Sequence, residues 1–324
     1  LTSCKERSKE RVNVLEKVKF STNYQPAAFE NDTRKEHITS LASELHELIL
    51  AHAEEKHIPG VAYGIVVDDE LVLSSATGLM NREKNLPAQA STAFRIASMS
   101  KSFTAMAIVK LRDEGRLRLS DPVAKYIPEM AGITYLTDDS PQISIRNLLA
   151  MTAGFPEDNP WGDRQLDESD AMLTELMASG PSLSNPPSYT YEYSNTGYAL
   201  LGAIITQVSG KPYQDYIRDE IFKPLGMSQT YWEIDRVAQD QLALGYRWED
   251  EKWKLEPMLH HGSYGAMGGL ITTIEDFSKY VSFHLSAWPP RSDIDEGPVK
   301  RSSLREMHTP QFSRLYAESE DYDG

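Results

Sequence analysis

Ser98-Met99-Ser100-Lys101 sets a lysine three residues after a serine, and no other S-x-x-K occurs in the 324-residue chain. On a helix, residues at that spacing share a face one turn apart, so the Lys101 amine reaches the Ser98 hydroxyl. Serine is a weak nucleophile until a base takes its proton, and a neutral lysine can do so. Lysine ordinarily titrates near ~10.4. The pairing therefore needs a site that disfavours the ammonium, which burial and the positive end of a helix both supply. The same helix end leaves the Ser98 N–H free to meet a developing oxyanion.

Tyr193-Ser194-Asn195 is the second candidate, on a loop just ahead of an apolar helical run. A phenol beside a lysine can act as general acid or base. Asn195 offers both a carbonyl acceptor and an amide donor, suited to a substrate amide or to a lysine. Ser194 or Asn195 also suits plain capping of the helix that follows.

These residues need elements to carry them. Ile38, Leu41, Ala42, Leu45, Leu48 and Ile49 recur at helical spacing and predict a helix ending near His57, before Pro59-Gly60. Val61 to Thr77 reads as a hairpin turning at Asp68-Asp69-Glu70. Ser98 to Glu114 reads as a helix with Gly115 closing it. From about 116 to 259 helices alternate with Pro/Gly/Asn/Ser loops, the clearest being Pro181 to Pro187; one helix stops at Gly210 and another runs from Pro212 to before Pro224. Thr273-Ile274-Glu275-Asp276 predicts a capping box, followed by a helix with Ile274, Phe277, Val281 and Leu285 on one face.

Composition narrows the chemistry. Lys and Arg number 33 against 48 Asp and Glu, a net charge of −15, which argues against nucleic acid or an anionic membrane surface as partner. A small-molecule or peptide substrate fits better. Cys4 is the only cysteine, so neither an internal disulfide nor a cysteine-based metal site is expected. His46 and His52 are six residues apart, off the i,i+4 spacing of a zinc pair, and His260-His261 has no carboxylate at ligand spacing, so no metal is expected. No glycine-rich phosphate loop follows a strand, so no nucleotide cofactor is expected. Trp161, on a Pro/Gly-rich loop, is a candidate for the rim of the site or for an ordinary surface anchor. Leu1-Thr2-Ser3-Cys4 has the form of a lipobox, which would lipid-anchor the chain at Cys4 in the periplasm or cell envelope; a chance tetrapeptide reads the same way.

Taken together the motifs are familiar. Phe94 to Thr104 resembles the nucleophile helix of the class C β-lactamase-like serine hydrolases, which include penicillin-binding D-alanyl-D-alanine peptidases and esterases. The resemblance continues through Leu117–Pro128, Ile145–Phe155, Tyr193–Gly202, Pro224–Met227 and the glycine-rich Gly265–Thr273, covering about residues 40–290. It implies an α/β (α+β) fold of the β-lactamase/transpeptidase type, an antiparallel sheet flanked by helices plus a mainly helical region. The expected layout is a lead over 1–36, then a catalytic domain over 37–324. Its sheet part would comprise 37–115 and 260–324, and its helical part 116–259.

The resemblance implies acyl transfer to a β-lactam, a D-alanyl peptide or an ester. Ser98 would be the nucleophile, Lys101 its partner in proton removal, Tyr193 the group that exchanges a proton with the leaving group or water, and Asn195 the residue that orients the substrate amide. Lys101 and Tyr193 both remain candidates for the base. A penicillin-binding or sensor module without turnover is the alternative on the same fold. One motif departs from the pattern. Related enzymes carry a Lys/His-Ser/Thr-Gly strand that completes the oxyanion hole, whereas here His308-Thr309-Pro310 reads as a helix end and His261-Gly262-Ser263 inverts the order. The expectation is that the last strands lie beyond Gly324 or come from a separate piece.

Overall fold

A computed structural model of the chain describes residues 21, 23–159 and 161–312. Cys4 and the acidic stretch Glu318 to Gly324 lie outside the described residues. The helical run that begins at Ile38 is divided. The chain turns at Leu41 (φ −94°, ψ 6°), giving α1 (Arg34–Ser40) and α2 (Ala42–Glu55). On α2, His46 is engaged with the Tyr63 hydroxyl at 2.9 Å.

Strands β1 (Gly60–Val67) and β2 (Glu70–Asn81) form the predicted hairpin, with Val67 opposite Glu70. Two-residue loops favour left-handed backbone, and Asp68 adopts it with φ +56°. A short β3 (Leu86–Pro87) pairs with the far end of β2, making a three-stranded antiparallel sheet. β4 (Phe94–Arg95) leads into the Ser98 turn and pairs with β7 (Ile271–Thr272).

Between them lie α3 (Ser100–Asp113), α4 (Ile145–Leu149), α5 (Asp170–Ala178), α6 (Asn195–Ser209), α7 (Tyr213–Ile217) and α8 (Gly265–Gly268). The span 116–259 is not helical throughout: β5 (Tyr246–Glu249) and β6 (Lys252–Leu255) make a hairpin there. Trp248 stacks on His57 at 4.2 Å, and Arg82 lies 4.7 Å over Trp253, so aromatic contacts dock this hairpin beside the first sheet.

Helix α9 (Ile274–Leu285) lies on β1, close enough that a Cβ on Gly64 would sit 2.8 Å from Ile274 Cγ2. The Thr273 hydroxyl accepts from Asp276 N at 3.2 Å, but the Asp276 carboxylate turns to Thr230 Oγ1 (3.0 Å) instead of closing the capping box. Helix α10 (Arg301–Met307) ends just before His308-Thr309-Pro310, as the reading of that triplet as a helix end requires. Among the described residues no strand follows β7, and no helix is long and apolar enough to cross a membrane.

The main core forms where α3 meets α6. Phe103, Met106, Ile108 and Leu111 pack with Leu200, Leu201, Ile204 and Ile205, all fully buried. Phe103 also stacks on Tyr280 of α9 at 3.9 Å, joining the sheet side to the helical side. Helix α3 is thereby anchored along its length.

Candidate active site

The chain enters the site from β4 under local strain. Ala97 adopts φ +45° and the short 3-10 turn Ala97–Met99 lifts Ser98 to an exposed position just ahead of α3. Ser98 thus precedes the regular helix, yet the three-residue step to Lys101 still brings the two side chains to 3.0 Å. Lys101 itself is only 6 % exposed.

The Tyr193 loop is fastened to the turn after α4. Ser144 and Asn147 form a full capping box at α4, and Asn147 Nδ2 donates to Ser188 Oγ at 2.8 Å. Ser188 N donates to Thr152 O (2.8 Å) and Glu192 N to Met151 O (3.0 Å), carrying the chain to Tyr193. The Tyr193 hydroxyl donates to Ser98 Oγ at 2.6 Å. Ser194 then caps α6, accepting from Gly197 N at 3.0 Å, which makes Asn195 the first residue of that helix. Ser194 is thus the capping residue, and the Asn195 side chain is left for the site.

All four residues singled out in the sequence therefore meet. Lys101 Nζ stands 3.0 Å from Ser98 Oγ, 2.8 Å from Tyr193 Oη, 2.8 Å from Asn195 Oδ1 and 3.0 Å from the carbonyl of Met267. The Met267 carbonyl comes from α8, within the glycine-rich stretch. Close packing puts it there: a Cβ on Gly202 of α6 would lie 2.7 Å from Ala266 Cβ, and Thr104 Oγ1 donates to Ala266 O at 2.7 Å.

Burial is the largest influence on Lys101 and lowers its pKa to about 8, with Asp163 and Asp158 opposing it. Desolvation raises the Tyr193 phenol above its ordinary value, Asp163 and Asp158 add to that, and its hydrogen bond with Ser98 works the other way. The lysine is thus brought toward neutrality while the phenol keeps its proton.

Sequence reasoning missed Met267, Asp158 and Asp163. A backbone carbonyl carries no side-chain signature, and Asp158 on a loop and Asp163 in the short 3-10 turn Gly162–Gln165 belong to no recognisable pattern. Trp161 is about half exposed (46 %) and meets Tyr264 edge to face at 6.0 Å. Tyr264 in turn shares a hydrogen bond of 3.1 Å with Thr196 Oγ1, so Trp161 packs behind the start of α6. His261-Gly262-Ser263 lies against the loop at Glu168, with Ser263 N donating to Glu168 O at 2.7 Å. No group of three or more His, Cys, Asp or Glu is placed to hold a metal among the described residues.

A sheet carrying helix α9, a buried lysine beside a serine at a helix start, and a Tyr-Ser-Asn loop facing both define a β-lactamase/transpeptidase-like fold of mixed α/β type. The sequence model of the Beta-lactamase family matches residues 45–322, and the chain belongs to that family. Protein flp of Staphylococcus aureus (strain MW2) is 31% identical over 259 residues, 78% of this chain and 50% of that protein. The octameric penicillin-binding protein homologue from Pyrococcus abyssi superposes with a TM-score of 0.69 at 29% identity, over 82% of this chain and 60% of its own. A class C beta lactamase has a TM-score of 0.66 at 22% identity, over 86% of this chain and 70% of its own, and shares the fold. The chain spans about half the length of the curated relatives it matches.

Proposed function

We propose that the protein is a serine hydrolase working through an acyl-enzyme on Ser98, with a β-lactam, a D-alanyl peptide or an ester as substrate. One observation carries the reading, the set of four polar atoms around Lys101 Nζ. Two of them, Asn195 Oδ1 and Met267 O, can only accept; the other two are hydroxyls that also donate. A neutral amine has two N–H groups and one lone pair. Its two donors satisfy the two obligate acceptors, and the lone pair is left facing Ser98 and Tyr193. An ammonium has three donors for four neighbours and no lone pair. The surroundings therefore suit the form that can take a proton.

The steps follow from those distances. Ser98 Oγ attacks the substrate carbonyl carbon as its proton passes to Lys101 Nζ. As the tetrahedral intermediate collapses, Tyr193 gives its proton to the departing amine or alkoxide and recovers one from the Lys101 ammonium 2.8 Å away. The Ser98 proton has then moved, in net terms, to the leaving group. Water repeats the sequence in reverse roles and frees the acid. Asn195 holds Lys101 through Oδ1, which keeps the amine at Ser98, while its Nδ2 is buried against Gly162 without a protein partner.

An intact-mass time course with a penicillin and, separately, a p-nitrophenyl ester tests this, with Ser98→Ala alongside. Addition of the acyl mass to the wild type alone is expected. A transient penicillin adduct with opened lactam indicates β-lactam hydrolysis, a lasting one a penicillin-binding module, and an ester-only adduct an esterase. Equal labelling or turnover by Ser98→Ala refutes the assignment.

A further inference from the structure

We infer that Asp158 is a positioning residue of this site: its carboxylate fixes the start of α6 and, through it, sets Asn195 against Lys101. The inference rests on reading Ser98, Lys101 and Tyr193 as the reacting group. Asp158 Oδ1 accepts from Asn195 N and Oδ2 from Thr196 N, each at 2.7 Å. The first N–H groups of a helix have no acceptor within it. Here Ser194 serves Gly197 alone, and a residue 37 positions upstream supplies the acceptors for the two N–H groups nearest the lysine. Two short bonds from one carboxylate fix direction as well as distance.

The same stretch grips Asn195 from a second side. Gly162 N donates to Asp158 O at 2.6 Å, bringing the chain back over α6. Gly162 then lies so close to Asn195 that a Cβ there would fall 2.6 Å from Asn195 Cβ and 2.8 Å from Nδ2. With its backbone held by Asp158 and its side chain backed by Gly162, fully buried Asn195 keeps Oδ1 at 2.8 Å from Lys101 Nζ. The carboxylate also counters the positive end of α6 where that end faces Lys101, in keeping with its upward pull on the lysine against desolvation.

Asp158→Asn removes the charge and turns one acceptor into a donor facing an N–H. Two readouts need no substrate: amide hydrogen exchange at Asn195 and Thr196, and the titration of Lys101 followed by NMR of 13Cε-labelled lysine. Exchange at both amides is expected to accelerate at least tenfold, and Lys101 to titrate lower than in the wild type. Acylation by a fluorophosphonate should slow at least tenfold, with its acid limb displaced to lower pH.

Asp158→Glu keeps the charge with one methylene too many. It should leave the Lys101 titration near that of the wild type while exchange stays fast. Unchanged exchange and titration in Asp158→Asn would overturn the inference. Should that variant not fold, wild-type exchange at both amides in Asp158→Glu would do so. If both readouts move but wild-type protein takes no adduct on Ser98, Asp158 keeps its role at Asn195 and the hydrolase reading falls instead.

Discussion

The main-chain carbonyl of Met267 accepts from Lys101 Nζ at 3.0 Å, tying α3 to a turn 166 residues further along the chain. This contact and Asn195 Oδ1 are the two acceptors that a neutral lysine satisfies in full. A carbonyl in that place is independent of pH and cannot compete for the proton. What titrates around Ser98 is therefore the lysine and, well above it, the phenol.

A pH dependence follows. Burial lowers Lys101 to about 8, and the neutral form is the one with a lone pair. Acylation of Ser98 should rise about tenfold per pH unit on the acid side and level off above pH 8. Tyr193, raised by desolvation, keeps its proton across that range, so a second fall belongs beyond the ordinary tyrosine value. The second-order rate of fluorophosphonate labelling between pH 5 and 10 checks this; a flat profile from 6 to 9 contradicts it.

Gly154 is the position where the Tyr193 loop tolerates no side chain. Its φ is +84° and a Cβ would collide with the Asn185 carbonyl. Ser184 N also bonds Gly154 O at 2.9 Å, so the two strands of the loop meet there. Gly154→Ala should cost about 3 kcal/mol in stability and slow acylation by displacing Tyr193. Denaturant melts and labelling rates together test it, since a stable, fully reactive variant would mean the loop does not position the phenol.

Ala97 offers a contrast of signs. At φ +45° a glycine is unstrained and a β-branched residue is an outlier. Ala97 is exposed, so packing adds little. Ala97→Gly should leave stability within about 1 kcal/mol of the wild type, because relief of strain offsets the extra freedom of the unfolded chain. Ala97→Val should lose about 2 kcal/mol. Both should slow acylation, one by loosening the Ser98 turn and the other by distorting it. Equal stabilities for the two variants would show that the turn relaxes on substitution.

Side chains with distinctive chemistry at fixed local spacing were legible without a structure. Ser98 and Lys101 are three apart, Tyr193 and Asn195 two apart, and their meeting follows from the family pattern those short motifs belong to. The partners that position them were hidden for a common reason. Asp158 grips a helix 37 residues later, Met267 contributes only backbone, and Gly162 acts by lacking a side chain. The β5–β6 hairpin escaped because four-residue strands are too short to show a period, and aromatic contacts with His57 and Arg82 place it. The break at Leu41 escaped because apolar periodicity runs straight across it.

The atoms around Lys101 Nζ have a further consequence for how the protein comes into being. Three of its four partners lie 92, 94 and 166 residues away in sequence. Contacts that distant carry a loop-closure cost that must be met before they stabilise the fold. During synthesis, Ser98 and Lys101 emerge long before Met267, so Lys101 lacks that acceptor until the later turn has been made. The set of four polar atoms around Lys101 Nζ is therefore complete only once residue 267 has joined the fold.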